Sequence, residues 1–388
     1  MDLDRIQSAL RERKFDAWLF YDHHYRDPIG YRILGLPGNL HVTRRWYYLV
    51  PAEGEPQKLM HRIEPGHLDA LPGKKHFYSA WQEQHENLKK VLAPYKTLAM
   101  QYSPNNLIPY ISLVDGGTIE LVRSFGKDIV SSGDLVAIFE AALNDEQIAT
   151  HFEARDAIDR IMQEGFREVG NRCKNGGTTN EYEIQRWIMQ AFEREKLVSD
   201  STPIVAVNAN ASNPHYSPSA DVFQPIKRGD FVLLDLWGKK DKPDSVYYDI
   251  TWTGVVGSAP SDRQMQIFQI VWDARDAGVR AINSTLSQRK MAGWEVDKAV
   301  RDYIENAGYG QYFTHRTGHS IGTEVHANGA NMDNLETKDE RQIIDRTIFS
   351  MEPGIYLPEF GVRCEYNVLI RNGKAEITGR VQTELLVV

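Results

Sequence analysis

Apolar residues at helical spacing open the chain, with Leu3, Ile6 and Leu10 on one face. The apolar run Ala17–Tyr21 follows and reads as a strand, as does WYYLVP at Trp46–Pro51. Residues 85–94 read as a helix, and short strands and helices continue to about residue 130. The first third therefore predicts a small α/β unit. Polar turn signals in SSGDLVAIFEAALNDEQ place a boundary within 130–147, before a long helical pattern. We expect domains at 1–140 and 141–388.

Beyond that boundary the pattern repeats coarsely. Residues 145–168 and 180–197 read as helices, the second with Ile184, Trp187/Ile188 and Ala191/Phe192 in phase. Thr178–Glu181 has the spacing of a capping box. Strands are expected at 203–208, 231–237 and 246–256. Helices at 262–285 and 294–307 follow, the latter stopped by Gly308, and then strands at 347–357 and 361–370. Two helices and a hairpin, twice over, predict two equivalent halves sharing one sheet system.

Both expected hairpins carry acids inside apolar runs. In FVLLDLWGKKDKPDSVYYDITWTG, a symmetric turn sets Asp235 opposite Asp249; in FSMEPGIYLPEFGVRCEYNVLI, it sets Glu352 opposite Glu365. Like charges facing each other on a sheet are destabilising. Two such pairs in equivalent places call for a common counter-charge, and a dinuclear metal centre supplies it. Four carboxylates with one imidazole suit manganese, cobalt, iron or zinc better than a structural zinc site.

The imidazole is sought in THRTGHSIGTEVHANG, where His315, His319 and His326 lie close together ahead of the last hairpin. Gly318 and Gly322 around His319 permit close approach of backbone and metal. A fourth histidine, His215, sits in the turn-rich NANASNPHYSP. Gly318–Gly322 also matches the G-x-S-x-G nucleophile elbow. No elbow-forming strand precedes it, and only His326 follows Ser320, so a serine hydrolase is disfavoured.

Composition narrows the partners. With 45 Lys and Arg against 53 Asp and Glu, the net charge is −8, which disfavours nucleic acid or anionic membrane. Cys173 and Cys364 are the only cysteines and read as two buried thiols. Strand alternation turns Cys364 away from Glu365's side of the sheet. No apolar leader or membrane-length run is visible, so a cytoplasmic location is expected.

These residues resemble the pita-bread metallopeptidases, the family of Xaa-Pro aminopeptidases, prolidases, methionine aminopeptidase and creatinase. The resemblance is carried by Asn208–Pro218, Asp235…Asp249-Ile-Thr251, Thr317–His326, Glu352-Pro-Gly-Ile-Tyr356 and Gly361-Val-Arg-Cys-Glu365, in the family's order. It implies an α+β fold, with a pita-bread C-terminal domain and a smaller α/β N-terminal domain. It implies two divalent ions per subunit, Mn2+ first with Zn2+ or Co2+ possible, held by Asp235, Asp249, His319, Glu352 and Glu365. It implies His215, His326, Tyr356 and Arg363 as substrate contacts. With Glu352 as general base, His326, His215 and Arg363 complete the catalytic set.

The sequence departs from the family in a longer spacing between the aspartates, in Tyr366 where Asp is common, in Trp252 where Arg is common and in Ser201 where an aromatic is frequent. These touch selectivity more than catalysis. The expected activity is hydrolysis of Xaa-Pro dipeptides, with Xaa-Pro aminopeptidase or a non-catalytic binding protein as alternatives. Arg363, Arg44 and Arg45 are candidate partners for a free substrate carboxylate. A homodimer is implied by resemblance alone.

Overall fold

The computed structural model describes residues 1–388 and divides into two compact units, Met1–Glu140 and Ala141–Val388. In the first, the strand Ala17–Asp22 pairs antiparallel with Trp46–Pro51 on one side and parallel with Thr97–Met100 on the other. Gln57–His61 and Lys74–Tyr78 extend one edge of this six-stranded sheet and Asp128–Ser131 the other. Side chains alternate across it. Trp18 and Phe20 enter one core cluster, while Ala17, Leu19 and Tyr21 enter the one on the opposite face. Both faces are buried, which explains why the strand reads as one unbroken apolar run.

The segment read as a polar boundary contains a helix, Gly133–Glu140, which belongs to the first unit. Leu135 and Val136 join that unit's core, so its apolar positions outweigh the flanking Gly and Asp turn signals.

The second unit begins with the helix Asp145–Arg172, opened by a reciprocal cap between Asn144 and Gln147. The next helix, Glu181–Arg194, is capped by Asn180, whose side chain accepts from the Glu183 amide. The expected capping box at Thr178–Glu181 does not form, because the Glu181 carboxylate is engaged elsewhere. It accepts from the Val207 and Gln224 amides, both at 2.7 Å, from Asn210 Nδ2 and from Tyr216 Oη.

The strands Ile204–Val207, Phe231–Lys240 and Tyr248–Val255 then form an antiparallel sheet against these two helices. The second half repeats the order. Helices Asp262–Leu286 and Gly293–Asn306 pack on the strands Ile348–Met351 and Tyr366–Arg371. Gly308 at φ +86° stands just past the end of the last helix. Each half thus has its own core, and the paired strands lie between them.

Candidate metal centre

The first acidic hairpin has a register two residues off the symmetric expectation. Asp235 pairs with Thr251 and Asp249 with Trp237, so the turn pivots on Pro243. The two aspartates are therefore diagonal neighbours on one face, not directly opposed. The strand also runs on to Lys240, where it pairs with Leu197–Val198, so the expected turn starts late.

In the second hairpin the register on both sides of a gap, Met351↔Tyr366 and Gly354↔Arg363, sets Glu352 across from Glu365. Neither glutamate makes a ladder pair. Glu352 donates its amide to the Thr317 carbonyl at 2.8 Å, and Glu365 donates its amide to the Thr251 carbonyl at 3.1 Å. That second bond links the two hairpins. Asn367 reinforces the link by donating to the Asp249 carbonyl and accepting from the Asp249 amide.

His319 reaches this seam because Gly318 lies against the neighbouring strand. A Cβ on Gly318 would stand 2.0 Å from the Ser350 carbonyl oxygen. The His319 amide donates to Ser350 Oγ at 2.9 Å, and that hydroxyl donates to Glu352 Oε1 at 2.9 Å. One serine thus orients two candidate ligands.

Asp249, His319 and Glu365 bring donor atoms within 4.8 Å of one another. His319 Nε2 also lies 3.4 Å from Glu352 Oε1 and 3.5 Å from Asp249 Oδ2. Asp235 sits beside them, with Oδ2 accepting from Arg363 Nη2 at 2.5 Å.

The electrostatics fit a bound cation. Asp235 Oδ1, Asp249 Oδ1 and Glu365 Oε1 are buried with no hydrogen-bond partner. Burial, reinforced by Asp235 and Glu352, pushes the Asp249 carboxyl well above its ordinary range. Burial also raises Glu365, with Asp249, Glu352 and Asp235 adding to it. Asp235 is raised by burial too, against the pull of Arg363.

Burial lowers His319, which keeps its ring neutral. Its Nδ1 faces the Ser320 carbonyl at 3.3 Å, so that nitrogen carries the hydrogen and the Nε2 lone pair points at two carboxylates. Orphaned carboxylate oxygens beside an imidazole lone pair fit divalent metal.

Arg363 is buried and engaged on every nitrogen: Nε with Thr251 Oγ1, Nη1 with Tyr356 Oη and Nη2 with Asp235. The Tyr356 hydroxyl in turn meets His315 Nε2 at 2.6 Å, and His315 Nδ1 meets the Arg316 carbonyl at 2.6 Å. A carbonyl only accepts, so Nδ1 donates and Nε2 accepts from tyrosine. Burial holds His315 down to about 4, consistent with this neutral form. His315 carried no assigned role in the sequence reading. Thr251, whose hydroxyl donates to Glu365 Oε2 at 2.7 Å, carried none either, although its two-residue spacing from Asp249 places it on the same face.

The metal-ligand candidates form the floor of a cavity of about 700 Å³ within the second unit. His215, His326 and Arg363 line it. The exposed His326 ring meets His319 edge-on, with centroids 4.3 Å apart. Tyr356 is set back behind Arg363 and is not part of the cavity wall. Ser320 of the G-x-S-x-G match is buried, and its Oγ accepts from the Gly329 amide. Both cysteines are buried free thiols, Cys364 facing the helix-side core.

Residues 153–372, more than half the chain, match metallopeptidase family M24. The chain belongs to that family. This M24 chain is 33% identical over 199 residues to a putative Xaa-Pro aminopeptidase of Mycoplasma genitalium. That match takes in 50% of the chain and 51% of the relative, so the chain spans about half that relative's length. It is 30% identical over 267 residues to the Xaa-Pro dipeptidase of Pyrococcus furiosus, covering 68% of this chain and 70% of that one. Among solved structures, dipeptidase PepE of Mycobacterium ulcerans superimposes with a TM-score of 0.66 at 24% identity, covering 100% of this chain and 96% of that one. The fold is the α+β arrangement of this family, with a pita-bread C-terminal region and a smaller α/β N-terminal region. No helix is long and apolar enough to cross a membrane.

Proposed function

We propose that the protein is a divalent-metal peptidase that hydrolyses Xaa-Pro bonds, with Xaa-Pro dipeptides as its preferred substrates. The observation that carries this reading is the cluster of three buried carboxylates, each with one oxygen lacking any partner, beside the half-buried Glu352 and one neutral imidazole, at the floor of a peptide-sized cavity. Asp235, Asp249, His319, Glu352 and Glu365 would hold two divalent ions there. The oxygen-rich donor set places Mn2+ first, with Zn2+ or Co2+ as alternatives. Bound ions supply Lewis acidity for the scissile carbonyl and lower the pKa of water.

The chain's own groups do the rest. Burial opposes ionisation of Glu352, but His319, His315 and Arg363 outweigh it and hold the carboxyl below its ordinary range. The Ser350 hydroxyl orients Glu352 to take a proton from attacking water and return it to the leaving nitrogen. His326 donates to the oxygen on which negative charge develops. His215 positions the proline carbonyl from the cavity wall. An Xaa-Pro bond offers no backbone N–H, so recognition falls on such side-chain contacts.

Arg363 acts mainly by fixing Asp235 and Tyr356, since those groups already use its nitrogens. Its nearness to the floor still supplies positive potential for a carboxylate just past proline. A cytoplasmic location, expected from the sequence, and a homodimeric assembly, on family resemblance, complete the proposal. The test compares Leu-Pro with Leu-Pro-Gly on Mn2+-loaded protein. Faster cleavage of the dipeptide is expected. Comparable rates would make it an aminopeptidase, and no cleavage of either would leave a binding protein on this scaffold.

A further inference from the structure

Two carboxylates on the cavity wall are not ligand candidates, Glu336, which accepts from the Arg316 amide, and Asp200. Asp200 is exposed and lines the cavity, just after the short strand Leu197–Val198. Its Oδ1 accepts from Trp237 Nε1 at 2.8 Å and from Ser201 Oγ at 3.5 Å. No Lys, Arg or His forms an ion pair with it. Trp237 lies two residues beyond Asp235 on the same face of the strand and pairs in register with Asp249. The indole therefore spans from the ligand row to Asp200 and fixes the carboxylate one side chain away from the metal centre. Trp237 itself forms part of the wall, so an apolar surface leads from the floor to an anionic tip.

We propose that Asp200 selects substrates with a basic residue before proline, binding the Lys or Arg side-chain cation while its methylenes lie along Trp237. This deepens, and rests on, the Xaa-Pro reading above. An aliphatic stem ending in a cation matches an indole face followed by a fixed carboxylate. The peptide's α-amine is a poorer match. It sits two bonds from the scissile carbonyl carbon, and so close to the floor, whereas Asp200 is on the exposed wall. In Asp200→Asn the side-chain oxygen still accepts from Trp237 and only the charge is lost.

The experiment measures kcat/KM of Mn2+-loaded protein on Lys-Pro, Leu-Pro and Glu-Pro, for wild type, Asp200→Asn and Asp200→Lys. Wild type should favour Lys-Pro over Glu-Pro. Asp200→Asn should cut the Lys-Pro to Leu-Pro ratio by about two- to fivefold, the scale of a solvent-exposed ion pair. Asp200→Lys should turn the preference toward Glu-Pro. Unchanged ratios, or equal losses on all three dipeptides, would overturn the assignment while leaving the peptidase reading intact. If wild type cleaves none of the three, the Xaa-Pro reading fails and this inference falls with it.

Discussion

Buried polar residues in this chain differ in whether the protein itself satisfies them. Asp249 and Glu365 each keep an oxygen that no donor reaches, which marks them for an external cation. His151, equally buried, is fully satisfied: its ring meets the Tyr247 carbonyl at 2.6 Å and Thr378 Oγ1 at 2.8 Å. The carbonyl fixes the hydrogen on Nδ1, and the hydroxyl donates to Nε2, a pattern available only to the neutral ring. Burial accordingly lowers His151 from 6.5 to about 4. The folded protein therefore binds fewer protons than the unfolded chain between those values, and stability is lost as pH falls through that window. His151 should contribute a loss of about 2 kcal/mol between pH 7 and pH 5. Urea midpoints at both pH values should show that loss in wild type and a smaller one in His151→Gln; equal slopes would contradict it. The sequence offered no way to tell these histidines apart. His315 stands in a cluster that read as functional, yet its partner Tyr356 is 41 residues away and only the fold reveals it.

At the scale of elements, the acidic hairpins were legible because each carboxylate interrupts an apolar strand pattern that had to be buried. Their register was not, since it depends on how many residues the turn consumes. One hairpin matched the symmetric guess in its register and the other slipped by two. The slip keeps Asp235 and Asp249 on the same face, so the chemistry survives it. The cap of Glu181–Arg194 shows the opposite failure. Local spacing offered a capping box, but Glu181 is drawn instead to donors from residues 207–224. That carboxylate ties the helix start to the segment carrying His215. Glu181→Gln should cost about 2–3 kcal/mol by setting an amide against donors that need an acceptor. It should also raise KM on Xaa-Pro dipeptides more than it lowers kcat. Denaturant melts and steady-state kinetics check both parts, and an unchanged KM would detach Glu181 from the substrate loop.

For the whole molecule, the second unit gathers every candidate ligand, from two hairpins and one glycine-flanked histidine, into one seam between two helix-backed halves. The coarse repeat in the sequence anticipated that arrangement. The strand order of the first unit was not anticipated, because parallel partners such as Ala17–Trp18 with Leu98–Ala99 lie some eighty residues apart in the chain. The central claim is that the seam is a hydrolytic metal centre. It is tested most directly by following Leu-Pro hydrolysis as chelator-stripped protein is titrated with Mn2+. The account predicts no cleavage by the stripped protein and a rise that saturates near two equivalents of metal. Cleavage that survives exhaustive chelation would contradict it.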